Sequence, residues 1–215
     1  MLVEAGSRIL FTGDSITDAG RARPVGEGAG LGDGYVALMD ALFTAVCPER
    51  RLHVLNTGIG GNTSRDLLAR WQSDVVDLGP DWLCVMIGVN DAFYQQAEPP
   101  QPERSVDEAE FEANLRRAIE PVRPALRGLV LMTPFYLERD RKDRLRAAVD
   151  RYGEIVLRLA REFDAVGVDT QAAFDAVMAV TPEVRLADDK VHPNRRGQMI
   201  IARAIAGALR LPPGS

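Results

Sequence analysis

Ser15 stands where a short apolar run ends: Ile9-Leu10-Phe11-Thr12 breaks into Gly13-Asp14-Ser15-Ile16-Thr17. Far along the chain, Asp189-Lys190-Val191-His192-Pro193-Asn194 places an imidazole three residues after a carboxylate. A serine hydroxyl is a weak nucleophile until a base removes its proton, and the base needs an acid to fix its tautomer and stabilise the imidazolium. Ser15, His192 and Asp189 supply that minimum set for acyl transfer through a covalent intermediate. The chain holds only two histidines, so His53 is the one rival base. His53 lies inside the strand-like Leu52-His53-Val54-Leu55, where packing or a facing helix is the more natural role. Each residue also has a plain competitor: serine is a common helix N-cap, and an isolated Asp-x-x-His fits a capped surface turn. A histidine base would make activity fall as pH drops through the range where an ordinary imidazole, about 6.5, takes up its proton.

A developing oxyanion needs preorganised donors. Gly61, in Gly58-Ile59-Gly60-Gly61-Asn62, offers a backbone N–H that no side chain obstructs, with Gly60 as the neighbouring alternative. Asn90, in Gly88-Val89-Asn90-Asp91, offers a side-chain amide, and the N–H of Ser15 is a third donor. Gly and Asn are also ordinary turn formers, so the types alone leave turn chemistry open. Asp14, Asp18 and Asp91 read as turn and cap residues, and no metal is expected. The glycines between 26 and 34 lack the Gly-Lys-Ser/Thr of a phosphate loop, and Ser15 lacks a Gly-x-Ser-x-Gly elbow.

These residues need elements that bring them together. Continuous Val/Ile/Leu-rich runs at 8–12, 52–56, 82–87, 129–133 and 165–169 predict strands buried on both faces, the mark of a parallel sheet. Amphipathic stretches at about 35–46, 64–78, 107–126, 141–163, 171–180 and 195–209 predict the helices between them. In the fourth, Leu145, Val149, Tyr152, Val156, Leu159 and Phe163 share one face. The expected fold is α/β: five parallel strands with helices on both faces. Ligands bind such sheets at the carboxyl ends of the strands, and Ser15, the 56–62 segment and the 88–91 segment each follow a strand. Two irregular stretches stand out: the Gly-rich 26–34 and the Pro-rich 92–105. The last residues, 211–215, read as a frayed tail.

Composition bounds the rest. The 215 residues, 46% hydrophobic and 27% charged, fit one globular domain spanning 1–215. A net charge of −5 argues against nucleic acid as a main ligand. Cys47 and Cys84 look like free thiols, which suits a reducing compartment. Residues 1–6 lack a basic stretch followed by an apolar core, and no apolar run approaches membrane-spanning length, so a cytoplasmic protein without a membrane partner is expected.

Taken in order, Gly13-Asp14-Ser15-Ile16-Thr17, Gly58-Ile59-Gly60-Gly61-Asn62-Thr63, Gly88-Val89-Asn90-Asp91 and Asp189-Lys190-Val191-His192-Pro193-Asn194 resemble the four signature blocks of the SGNH (GDSL-like) serine hydrolases. The resemblance spans nearly the whole chain. It implies a flavodoxin-like three-layer α/β/α sandwich, a triad of Ser15, His192 and Asp189, and an oxyanion hole of Ser15, Gly61 and Asn90. The longer run from Phe11 to Pro24, with Leu31-Gly32-Asp33-Gly34-Tyr35-Val36 and Pro134-Phe135-Tyr136-Leu137-Glu138, is similar to the intracellular acetylxylan esterases of this family. That likeness implies cofactor-free removal of acetyl groups from short xylan fragments by a homo-oligomer. On this reading Phe93, Tyr94, Phe135 and Tyr136 lie at the active edge, either to stack on sugar faces or as core or interface aromatics. Long-chain esterase or thioesterase action on the same machinery, and non-catalytic carbohydrate binding, are the rival readings.

Overall fold

The computed structural model describes residues 1–212; the end of the expected frayed tail, 213–215, lies outside them. Within the described part of that tail, Leu211 donates its N–H to the carbonyl of Ala206, 2.9 Å away.

The sheet has six strands: β1 Arg8–Gly13, β2 Gly26–Glu27, β3 His53–Asn56, β4 Trp82–Met86, β5 Gly128–Met132 and β6 Val166–Val168, in the order β2-β3-β1-β4-β5-β6. β3, β1, β4, β5 and β6 run parallel. The sixth strand corrects the expected count. β2 pairs antiparallel with the edge strand β3, through Gly26 opposite Asn56 and Glu27 opposite Leu55. Two residues inside a Gly-rich loop carry no hydrophobic period, so only their backbone pairing reveals them. The five parallel strands alone follow a 2-1-3-4-5 order, which is flavodoxin-like.

Both faces are covered, which is why the strands read as unbroken apolar runs. All five residues of β4 are buried, and β1 is buried from Ile9 onward. Fully burying a Val, Leu or Met contributes about 1.5–3 kcal/mol over leaving it exposed, so a polar substitution in β4 would disrupt the sheet's centre.

The helices are α1 Ser15–Asp18, α2 Tyr35–Val46, α3 Ser64–Ala69, α4 Val89–Gln95, α5 Glu108–Val122, α6 Arg144–Glu162, α7 Thr170–Met178 and α8 Arg195–Ala208. α2 packs on α8 and α8 on α7; α3 packs on α5 and α5 on α6. Their starts are capped as their sequences direct: Asp107, Asp143, Asp169 and Asn194 each accept a backbone N–H in the first turn. Two expectations shift. The helix expected over 64–78 is α3 followed by a separate π-helical turn, Gln72–Val76. The irregular stretch expected from residue 92 starts later, since α4 continues to Gln95; a seven-residue helix is too short to show a period.

Candidate active site

Gly13 sets the turn out of β1. A Cβ on it would lie 2.1 Å from the Met86 carbonyl of β4, so no other residue permits the two chains to approach so closely. The chain then enters α1, and Asp14, not Ser15, is the N-cap: its Oδ1 accepts the N–H of Ile16 at 3.0 Å. Ser15 is therefore released from the capping role open to it by type. Its Oγ lies 2.9 Å from His192 Nε2, across 177 positions of sequence. His192 Nδ1 in turn lies 2.6 Å from Asp189 Oδ2.

Asp189 does two jobs with its two oxygens. Oδ1 accepts the N–H groups of Val191 (3.0 Å) and His192 (2.7 Å) and so shapes the turn; Oδ2 meets the ring. Burial works to raise its carboxyl, but the hydrogen bonds from the His192 ring and these two N–H groups outweigh it and hold it down at about 2. The carboxylate is thus charged wherever the imidazole could act as a base.

The loop after β3 reaches Ser15, where a Cβ on Gly60 would lie 3.8 Å from the Ser15 Cβ, and the loop after β4 joins it through Asn90. Buried Asn56 accepts the N–H of Gly58 and donates to the carbonyls of Thr17 and Leu31, tying the second loop to α1. Gly60 and Gly61 separate clearly. The N–H of Gly60 is taken by the Asp18 carboxylate at 3.0 Å, whereas the N–H of Gly61 has no acceptor among the described residues. Gly61 holds φ +76°, a left-handed conformation that favours glycine. Asn90 stands at the start of α4 and donates its amide to the Asn62 carbonyl at 2.9 Å, which ties it to the Gly61 turn. Next to it, buried Asp91 accepts both the N–H and the hydroxyl of Ser64, locking the start of α4 to the start of α3. The three acidic side chains are each committed to protein donors: Asp14 to Ile16, Asp91 to Ser64, and Asp18 to Gly60 and Arg23.

Asp14 is completely buried, and this desolvation pushes its carboxyl up to about 7, against the lowering effect of the Ile16 N–H. A group raised on folding stabilises most below its unfolded value, 3.8, and loses that contribution as pH climbs through about 7. Asp14→Asn keeps the capping oxygen but cannot ionise. Thermal melts from pH 4 to 8 should show wild type declining relative to the variant, with Asp14→Asn ahead at pH 8 by on the order of 1–3 kcal/mol. Parallel melting curves over that range would mean that Asp14 does not titrate there.

The aromatic expectations divide. Phe93 is exposed on α4, edge-on to Tyr94 at 5.5 Å. The Arg104 guanidinium lies over the Tyr94 ring, 3.8 Å from its centre. Tyr136 is half-buried. Phe135 is a correction: it is fully buried and packs on Phe174 at 4.4 Å, so it has no surface to offer a sugar. His53 does not pack as expected; it is exposed at the amino end of β3, the edge of the sheet away from Ser15.

Two arginines escaped the sequence reading. Arg70 donates to the Gly13 carbonyl (2.8 Å), the Thr57 carbonyl (2.7 Å) and Asn62 Oδ1 (2.7 Å), joining the first two loops, and pairs with Asp74. Arg104 reaches from the Pro-rich loop to the Gly61 carbonyl at 3.1 Å. Arg70 bears one spacing signal, its i,i+4 pairing with Asp74; its carbonyl contacts and that of Arg104 bear none, because carbonyl partners are set by loop geometry.

An open flavodoxin-like sheet with serine, histidine and aspartate hydrogen-bonded in series at its carboxyl edge is the architecture of a serine hydrolase. Residues 11–200 match the GDSL-like Lipase/Acylhydrolase family model, and the chain belongs to that family. It is 48% identical over 206 residues to the acetylxylan esterase of Geobacillus stearothermophilus, covering 95% of this chain and 94% of that protein. The structure of a catalytic mutant of that enzyme, Axe2, superimposes with a TM-score of 0.96 at 45% identity, covering 99% of this chain and 98% of the other. A more distant relative is Thioesterase 1/protease 1/lysophospholipase L1 of Escherichia coli (strain K12), 28% identical over 85% of this chain and 81% of that protein.

Proposed function

We propose that this protein is a serine carboxylic-ester hydrolase that removes acetyl groups from acetylated xylooligosaccharides, acting as one catalytic domain. The observation that carries the reading is the series Ser15 Oγ, His192 Nε2, Asp189, at 2.9 and 2.6 Å. Ser15 attacks the acetyl carbonyl while His192 takes its proton; Asp189 keeps the ring proton on Nδ1 and balances the imidazolium. The oxyanion rests on the N–H groups of Ser15 and Gly61 and the amide of Asn90. His192 then protonates the departing sugar hydroxyl, and water activated by the same ring releases acetate.

Similarity to the Geobacillus acetylxylan esterase supports the sugar ester as substrate. The small cleft beside Ser15, about 280 Å³, carries the polar side chains of Asp33, Arg195 and Gln198, which suits a sugar ester. The likeness to the Escherichia coli thioesterase/lysophospholipase favours the second reading, hydrolysis of longer acyl esters. Acetate release from acetylated xylooligosaccharides, measured beside nitrophenyl esters of two to twelve carbons, separates them. Rates should be greatest at two carbons and acetate should appear from the sugar; a maximum at long chains would overturn the acetyl reading.

The same reading makes the enzyme a cytoplasmic homo-oligomer. The buried free thiols of Cys47 and Cys84 suit a reducing compartment. Val180, Val184 and Met199 are exposed apolar side chains, which supports a contact with a partner copy. Light scattering should then give a mass above the 23.5 kDa of one chain. Among the described residues no helix is long and apolar enough to cross a membrane.

A further inference from the structure

The Asp189–His192 turn poses a mechanical problem. The side chains of Asp189 and His192 are 54% and 57% exposed, so packing does not hold them in register with Ser15. The base of the turn is closed by the Ala187–Pro193 bridge and by the N–H of Asn194 on the Leu186 carbonyl at 2.7 Å. Its tip is Lys190, in a left-handed conformation at φ +64°. That tip is held at two points by one segment. The N–H of Leu137 donates to the Lys190 carbonyl at 2.9 Å, and the Lys190 ammonium pairs with the Glu138 carboxylate.

The holding segment is itself braced. Arg146, with a side chain only 2% exposed, donates to the Glu138 carbonyl and pairs with Asp175 and Asp150. Gln171 accepts the Tyr136 N–H at 2.8 Å and donates to Asp175 at 2.9 Å. Leu137, between the two braced residues, is fully buried. A rigid bracket built from α6, α7 and the chain after β5 therefore ends in one carboxylate that grips the tip of an otherwise exposed turn.

We infer that Glu138 and Lys190 are positioning residues: their ion pair, anchored on the Arg146 cluster, holds the Asp189–His192 turn so that His192 Nε2 meets Ser15 Oγ. The inference rests on the proposed serine mechanism. Misplacing a reacting group by about 1 Å costs up to about 100-fold in rate, so a small release of the tip is visible in turnover. Neither side chain lines the cleft at Ser15, so substrate affinity should not depend on them.

The test compares wild type, Glu138→Gln, Lys190→Met, the double variant, Lys190→Arg and Ser15→Ala on a small acetyl ester. Each of the first two should lose roughly tenfold or more in kcat with KM unchanged. The double variant should be no slower than the worse single, since both remove the same pair, and Lys190→Arg should recover most of the rate. The Glu138 and Lys190 side chains are partly exposed, and circular dichroism checks that every variant stays folded. Wild-type kcat in Glu138→Gln and Lys190→Met, or additive losses in the double variant, would overturn the positioning role while leaving the serine mechanism intact. Activity surviving in Ser15→Ala would instead overturn the mechanism, and the positioning role with it.

Discussion

Ser15→Ala should abolish acetyl-ester hydrolysis, with kcat falling by roughly 10⁴- to 10⁶-fold and the fold untouched. The change removes one atom, and that atom has one close partner, His192 Nε2 at 2.9 Å. Stability should hold because the start of α1 does not depend on the hydroxyl: Asp14 supplies the capping oxygen. The donors proposed for the oxyanion remain, since the N–H of residue 15, the N–H of Gly61 and the Asn90 amide are untouched. They should leave a small residual rate above that in water. The check is steady-state hydrolysis of a small acetyl ester, with mass spectrometry after an organophosphate. Wild type should carry the adduct on Ser15, and the variant should carry none. A variant that keeps a tenth of the wild-type rate would remove Ser15 from the chemistry.

Much of this site was legible in sequence because an open parallel sheet turns order along the chain into position in space. Each strand of such a sheet is buried on both faces, so Trp82 to Met86 reads as one unbroken apolar run, and what interrupts each run must lie at the carboxyl edge. That logic brings Ser15, Gly61 and Asn90 to one edge, although 75 positions separate the first from the last. It says nothing about rotation. Phe135 lies at the correct end of β5, yet its ring turns into the core against Phe174, while its neighbour Tyr136 stays half-exposed. The choice of Gly61 over Gly60 rests on the family resemblance, and residue type leaves it open for a similar reason: it depends on which N–H the Asp18 carboxylate takes, a contact across 42 positions. β2 and the carbonyl contacts of Arg70 and Arg104 were invisible because they engage backbone groups, which every residue type presents alike. The capping choice was at least half-legible. Asp and Ser are both good N-caps; Gly13, forced by the Met86 carbonyl, places the turn so that Asp14 arrives first.

Asp189→Asn should lower kcat by about 10⁴-fold without unfolding the protein. The substitution decides between the two roles Asp189 can have. As a turn-shaping residue it uses Oδ1, which accepts the N–H groups of Val191 and His192. Asparagine keeps an oxygen there and favours such turns for the same reason, so a purely structural Asp189 predicts near-normal activity. As the orienting acid it uses Oδ2, which accepts a hydrogen bond from the His192 Nδ1–H. Asparagine would present an NH₂ donor at that place. The ring would answer by making Nδ1 an acceptor and moving its proton to Nε2, the atom that faces Ser15 Oγ. A protonated Nε2 cannot take the serine proton, so the nucleophile stays a neutral hydroxyl. The wild-type carboxylate, held down at about 2, stays ionised across any range in which a histidine base works, so no pH in that range should let the wild type mimic the variant. The measurement is kcat for an acetyl ester in wild type and Asp189→Asn across pH 5 to 9, with the thermal midpoint of each. A large loss of turnover at an unchanged midpoint assigns Asp189 to the orienting role. Retained turnover would return it to the turn and leave His192 to act without an acid behind it.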